Sequence, residues 1–293
     1  MQTTPPSDSE TRERSPELKI YFLPNLFTAG NLFCGFLALT LIVQAPSLFD
    51  EATFAEARQK IVWALELILL ACILDVLDGR VARLGGYDSP FGREFDSLAD
   101  VVSFGVAPAF LVYKVVLADV FRQNWEEIGW FIASIYVICG ALRLARFNCL
   151  ATMAESNPVP DHGREFMGFP IPAAAGLIAS IAYFLIWFEE KDFVKSNWKF
   201  ALPVLLLFLS AMMVSKVPYP TFKTVDWRAR RSFIFMVLVM LALGFLVTLG
   251  RKALPVAMPF VFLAYLIYGF VRPWLSRRTR HEIEEGNDEH AGA

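Results

Sequence analysis

Asp75, Asp78, Asp96 and Asp100 lie in the segment ILDVLDGRVARLGGYDSPFGREFDSLADVVSFG, at the junction of two apolar runs. Asp75 and Asp78 are spaced i, i+3, and Asp96 and Asp100 i, i+4, so on two helices each pair shares a face. Two such helices facing one another bring four carboxylates to one point, and like charges that close need cations between them. All-oxygen sites suit hard divalent ions, and Mg2+ and Mn2+ both accept them. Phosphoryl transfer uses such ions to neutralise a pyrophosphate and to stabilise the leaving phosphate. Two metals held by Asp75, Asp78 and Asp96 suit an in-line displacement. Gly79 and Ala82 remove side-chain bulk, so that a flat nucleotide can lie against the helix, and Arg83 offers a charge-assisted fork to a phosphate. Asp100, one turn beyond Asp96, is placed to accept the proton of an attacking hydroxyl as general base, and is also a fourth candidate metal ligand.

The elements that must hold these groups are membrane helices. The 293-residue chain is 56% hydrophobic, with 27 Phe, 7 Trp and a mean hydropathy of +0.46, more apolar than soluble domains are. Eight stretches are long enough to span a bilayer, at about 20 apolar residues each: 26–45, 60–82, 97–118, 128–149, 170–188, 200–216, 232–250 and 254–275. The second and third carry the aspartates near their ends, which places the carboxylates near one membrane face or along a polar cavity. With a cytosolic N-terminus and eight spans, the inside segments hold 18 of the 27 Lys and Arg residues. This bias puts both termini and the aspartates on the cytoplasmic side.

Residues 1–18 are polar and charged, with no apolar core of a signal peptide, and read as a disordered cytosolic tail. Residues 19–276 form the membrane-embedded domain, and 277–293 a polar C-terminal tail. A net charge of −2 gives no hint of a nucleic-acid partner. Cys34, Cys72, Cys139 and Cys149 lack any metal-ligand spacing and read as small core residues. In the first span, Asn25, Thr28 and Asn31 share one helical stripe, where polar residues either join helices or line a cavity. Gly168, Pro170 and Pro172 lead into the small residues Ala173 to Gly176, a pattern for close helix packing.

The central motif, D-x-x-D-G-x-x-A-R-x8-G-x-x-x-D-x-x-x-D, is filled by Asp75, Asp78, Gly79, Ala82, Arg83, Gly92, Asp96 and Asp100. On these residues the chain resembles the CDP-alcohol phosphotransferases, integral membrane enzymes that displace CMP from a CDP-linked lipid or alcohol. The resemblance implies an all-α, polytopic membrane bundle in which the first three aspartates bind metal and the fourth is the base. Asp78, Gly79, Ala82, Arg83 and Gly92 then contact the CDP group. The segments PNLFTAGNLFCGFLAL, ALRLARFN and GFPIPAAAG are similar to those of the family's phosphatidylserine-forming branch. That branch implies CDP-diacylglycerol and L-serine as substrates, phosphatidylserine and CMP as products, and a homodimer.

A zwitterionic amino acid needs a cation for its carboxylate. Arg143 and Arg146 share a face at the end of the fourth span, with Asn148 close by, and are the candidates for serine binding; as plain interfacial anchors they would snorkel. Two other readings stay open on residues alone. One is the same chemistry with glycerol 3-phosphate or an inositol compound as acceptor. The other is an ion-coupled transporter using the intramembrane carboxylates.

Overall fold

The computed structural model describes residues 21–48, 50, 52–86, 89–118, 126–156, 166–188, 200–215, 218–219 and 255–267. Among them the architecture is helical: α1 (Phe22–Gln44), α2 (Phe54–Gly85), α3 (Pro90–Leu117), α4 (Glu126–Ser156), α5 (Ile171–Phe188), α6 (Ala201–Val214) and α7 (Pro255–Ile267). A two-residue antiparallel ladder, Phe166–Met167 with Pro218–Tyr219, accompanies the helices.

Four of the helices, α1, α3, α4 and α5, are long and apolar enough to cross a membrane. α2 runs for 32 residues, about 48 Å at 1.5 Å per residue, which exceeds the ~30 Å of a hydrocarbon core. Glu66, Asp75 and Asp78 interrupt its apolar stretch, and the two aspartates lie in its C-terminal third. α6 and α7 are shorter apolar helices. Four of the eight expected spans, 26–45, 97–118, 128–149 and 170–188, fall on α1, α3, α4 and α5, and 60–82 and 200–216 fall on α2 and α6. The stretch 232–250 lies outside the described residues and 254–275 is described only as α7. The terminal tails, 1–18 and 277–293, also lie outside them.

α1 packs most extensively against α2 and then against α3. Its buried residues Pro24, Thr28, Asn31, Gly35, Ala38 and Ile42 recur at alternating intervals of four and three, the stripe of a closely packed helix pair. Gly35 meets the backbone and side chain of Ser103 where a Cβ would stand, so a helix–helix crossing this tight requires glycine. The outer faces carry Phe33, Phe36, Trp130, Phe131, Ile138 and Leu142, all exposed, as lipid-facing surfaces are. The core is the opposite set, with Ile61, Leu65, Ile68, Phe104, Tyr136 and Leu177 fully buried.

Gly86, at φ 64°, ends α2 in the left-handed conformation that closes many helices. α3 then begins with Ser89 as its N-cap, whose Oγ accepts the Gly92 N–H at 3.0 Å, and with Pro90 in the first turn. Directly after Asp100 the helix widens into a π segment, Val101–Val106, before Pro108. Proline has no N–H to give the carbonyl four residues back. That carbonyl, of Phe104, instead accepts the hydroxyl of the fully buried Tyr136 on α4 at 3.1 Å, as a bilayer interior demands.

Candidate active site

α2 and α3 deliver the aspartates as the spacing requires. Asp75 and Asp78 stand on consecutive turns of α2, and Asp96 on the second turn of α3. One carboxylate oxygen from each of these three lies within 4.8 Å of the others. Asp78 is buried, and Asp75 and Asp96 are half-buried. A buried Asp96 oxygen, Oδ1, has no hydrogen-bond partner. An unsatisfied carboxylate oxygen beside two further carboxylates has the donor chemistry of a divalent-cation site: hard, anionic and all oxygen. The group of three does not include Asp100, the expected fourth ligand. Asp100 is buried one turn further along α3, where its Oδ1 accepts from Asn31 Nδ2 at 3.2 Å.

The polar stripe of α1 is what faces these carboxylates. The single hydroxyl proton of Thr28 Oγ1 is directed at Asp78 Oδ2, 3.0 Å away, and shared with the Pro24 carbonyl at 3.3 Å. Asn31 is fully buried; its amide nitrogen holds Asp100, and its carbonyl oxygen Oδ1 has no partner. Ser103 Oγ in turn donates to the backbone carbonyl of Asn31 at 2.9 Å, tying α1 to α3 just past Asp100. The stripe therefore joins helices, α1 to α2 through Thr28 and α1 to α3 through Asn31, at the carboxylates themselves. Thr28 and Asn31 were absent from the expected site residues. Their signal was the helical spacing of polar groups in an apolar span.

Gly79 and Ala82 follow on α2 beside the carboxylates, half-buried. The side chain of Arg83 lies outside the described residues. Gly92 packs against its own cap: a Cβ there would meet Ser89 Oγ at 3.2 Å and Asn25 Oδ1 at 3.6 Å. The tighter of the two is the cap hydroxyl, and the Asn25 contact is an ordinary van der Waals distance.

The three acceptor-side candidates on α4 divide. Arg143 is half-buried and within electrostatic reach of Asp100, Asp75 and Tyr265; its Nε is buried without a hydrogen-bond partner. Arg146 Nη1 donates to the carbonyl of Val214, the last residue of α6, at 3.3 Å, where the helix dipole favours a cation. Asn148 Nδ2 donates to Glu94 Oε2 at 3.3 Å and to Ser97 Oγ at 3.0 Å. It thereby braces α4 against α3 through residues on either side of Asp96 in sequence.

The family model for CDP-alcohol phosphatidyltransferases matches residues 21–215, which takes in α1 through α6 with the four aspartates, Arg143, Arg146 and Asn148. The chain belongs to the CDP-alcohol phosphatidyltransferase family. Like other members it is an integral membrane protein with a helical bundle. It is similar to the CDP-diacylglycerol--serine O-phosphatidyltransferase of Helicobacter pylori, at 38% identity over 256 residues, covering 87% of this chain and 92% of the relative. A protein of the same name from Methanocaldococcus jannaschii is 35% identical over 206 residues, 70% of this chain and 82% of the relative. The archaetidylserine synthase of Methanothermobacter thermautotrophicus is 33% identical over 200 residues, 68% of this chain and 69% of the relative.

Proposed function

We propose that this family member transfers the phosphatidyl group of CDP-diacylglycerol to the hydroxyl of L-serine, forming phosphatidylserine and releasing CMP. The convergence of Asp75, Asp78 and Asp96 within 4.8 Å, with Asp100 set apart by its bond to Asn31, carries the chemistry. The names of the similar proteins, which act on serine or form a serine lipid, support the acceptor.

In this reading Asp75, Asp78 and Asp96 hold divalent cations, Mg2+ or Mn2+ and two in number. When bound, these supply charge neutralisation to the pyrophosphate and stabilise the departing CMP phosphate. Thr28 orients Asp78 through its hydroxyl. Gly79, Ala82 and Gly92 leave room for the cytidine nucleotide along α2 and α3, and Arg83 pairs with its phosphate. Asp100 accepts the serine hydroxyl proton as the serine oxygen bonds to the phosphorus bearing diacylglycerol and the bond from that phosphorus to the CMP oxygen breaks. Asn31 fixes the rotamer of Asp100, so that one carboxylate oxygen stays directed at the incoming hydroxyl.

Arg143 is the cation for the serine carboxylate, because Asp100 and Asp75 are among its charged neighbours, whereas Arg146 donates to the end of α6 and Asn148 to α3. This refines the expectation that all three contact serine. The catalytic domain spans 19–276 and functions as a homodimer in the cell membrane, with the aspartates open to the cytoplasm. There serine arrives from water and the liponucleotide from the bilayer.

Incorporation of labelled serine into lipid, measured with and without CDP-diacylglycerol and divalent cation, tests the reading. Incorporation that requires both is expected. CMP release that ignores serine would remove the serine assignment, and no CMP release with any acceptor would remove the enzymatic reading.

A further inference from the structure

Asp100 stands at the boundary of the π segment Val101–Val106, in which the Ala107 N–H reaches back five residues to the Val102 carbonyl. One-turn π segments inside α-helices often mark functional sites. This one packs against α1, α4 and α5, and two hydroxyls hold it from opposite neighbours. On the α4 side, the Tyr136 hydroxyl donates to the Phe104 carbonyl at 3.1 Å. On the α1 side, Ser103 Oγ donates to the Asn31 backbone carbonyl at 2.9 Å, and Ser103 occupies the place that a side chain on Gly35 would take. Tyr136, Phe104, Ser103 and Asn31 are all fully buried.

Asn31 is where this support meets the chemistry. Its backbone carbonyl takes the Ser103 hydroxyl, while its side-chain amide donates to Asp100 Oδ1 at 3.2 Å. Asp100 and Ser103, on one helix, thus address the same residue of another. Any shift of the π segment against α1 moves the amide relative to the carboxylate it orients. These bonds run to Asp100 and to none of the three carboxylates grouped for the cations.

From these contacts we infer that Tyr136 and Ser103 are positioning residues for Asp100: held between them, the π segment keeps the Asn31 amide in register with the carboxylate. Both side chains are fully buried, so they act through Asn31 and not on substrate. The inference rests on Asp100 as the base that takes the acceptor's proton.

Ser103→Ala and Tyr136→Phe each remove one hydroxyl and leave the rest of the packing. Each is expected to lower kcat by about three- to tenfold, the size of one neutral hydrogen bond. The KM for CDP-diacylglycerol and the half-saturating cation concentration should stay within about twofold of wild type. In the Asn31→Ala background, where the orienting amide is already gone, either change should lower kcat by less than about twofold further, because the residues act as a unit. The thermal midpoint should still fall in those double variants. A purely structural role would instead multiply the kcat losses as well. Unchanged kcat in either single variant, or full multiplication with Asn31→Ala, would overturn the inference.

A second measurement needs no turnover. Labelling of the purified protein by dicyclohexylcarbodiimide, read at individual carboxylates by mass spectrometry, should be several-fold faster at Asp100 in both variants, since a loosened carboxylate is freer to react. It should be unchanged at Glu66, which the Tyr183 hydroxyl holds instead. Equal rates at Asp100 in wild type and variants would also overturn it. Should Asp100→Asn keep full activity, the assignment of the base fails, while the labelling rates still decide whether Tyr136 and Ser103 position Asp100.

Discussion

On the side of the site assigned to the nucleotide, three carboxylates come from two helices that are close in sequence, and a short link between α2 and α3 brings them together. On the side assigned to the acceptor, Asp100 depends on α1 for its orienting amide and Arg143 comes from α4. The first half is a local construction and the second is assembled across the chain. A local cluster of like charges answers to the ion it holds. The assembled half answers to packing, so it is where members of one family can change acceptor without touching the donor chemistry.

Substitutions in the carboxylate cluster should have the largest effect. Asp96→Asn, which leaves shape nearly intact, is expected to lower the rate of CMP release by about 10³-fold, since charge stabilisation by a bound cation contributes several kcal/mol. Asp100→Asn should lower kcat by about 10²- to 10⁴-fold, the usual share of a general base. Its KM for CDP-diacylglycerol should change little, and a comparable rise in that KM would blur the division between the halves.

Arg143→Lys keeps the charge but loses the two-pronged donor, so serine KM should rise by about tenfold or more. Arg146→Lys should leave serine KM near wild type and lower the thermal midpoint instead, because its partner is the end of α6. If the two arginine variants raise serine KM equally, the assignment of Arg143 alone is wrong. Gly35→Ala forces a methyl group against Ser103 and should cost about 1–3 kcal/mol of stability, read as a lower thermal midpoint with Asp100 activity reduced through its displaced α1 partner. Thr28→Val removes one hydrogen bond to the Asp78 carboxylate, about 1.5 kcal/mol at the low end for a charged acceptor, and should lower the rate by about tenfold.

The same division explains what the sequence discloses. The helix spacing of Asp75, Asp78, Asp96 and Asp100 is a property of neighbours along the chain, and the convergence of the first three follows from it. The π segment after Asp100 was not legible, because it arises from Pro108 and from a buried tyrosine 28 residues further on, at Tyr136. Nor were the separate fates of Arg143 and Arg146: i, i+3 spacing gives them a common face, and only the end of α6 distinguishes them. Asn148 carries an amide suited to a substrate, yet its nitrogen is engaged by Glu94 and Ser97, residues that no local pattern links to it. Thr28 and Asn31 were visible as a polar stripe, but their partners, 50 and 69 residues away, were not.

The central claim is that three aspartates hold the cations and the fourth moves the proton. Titrating serine-dependent CMP release with Mg2+ or Mn2+ in wild type, Asp96→Asn and Asp100→Asn tests it most directly. The account predicts that Asp96→Asn raises the half-saturating cation concentration by at least about tenfold, while Asp100→Asn lowers the plateau and leaves half-saturation near that of wild type. A shift in Asp100→Asn as large as that in Asp96→Asn, or no shift in Asp96→Asn, would contradict it.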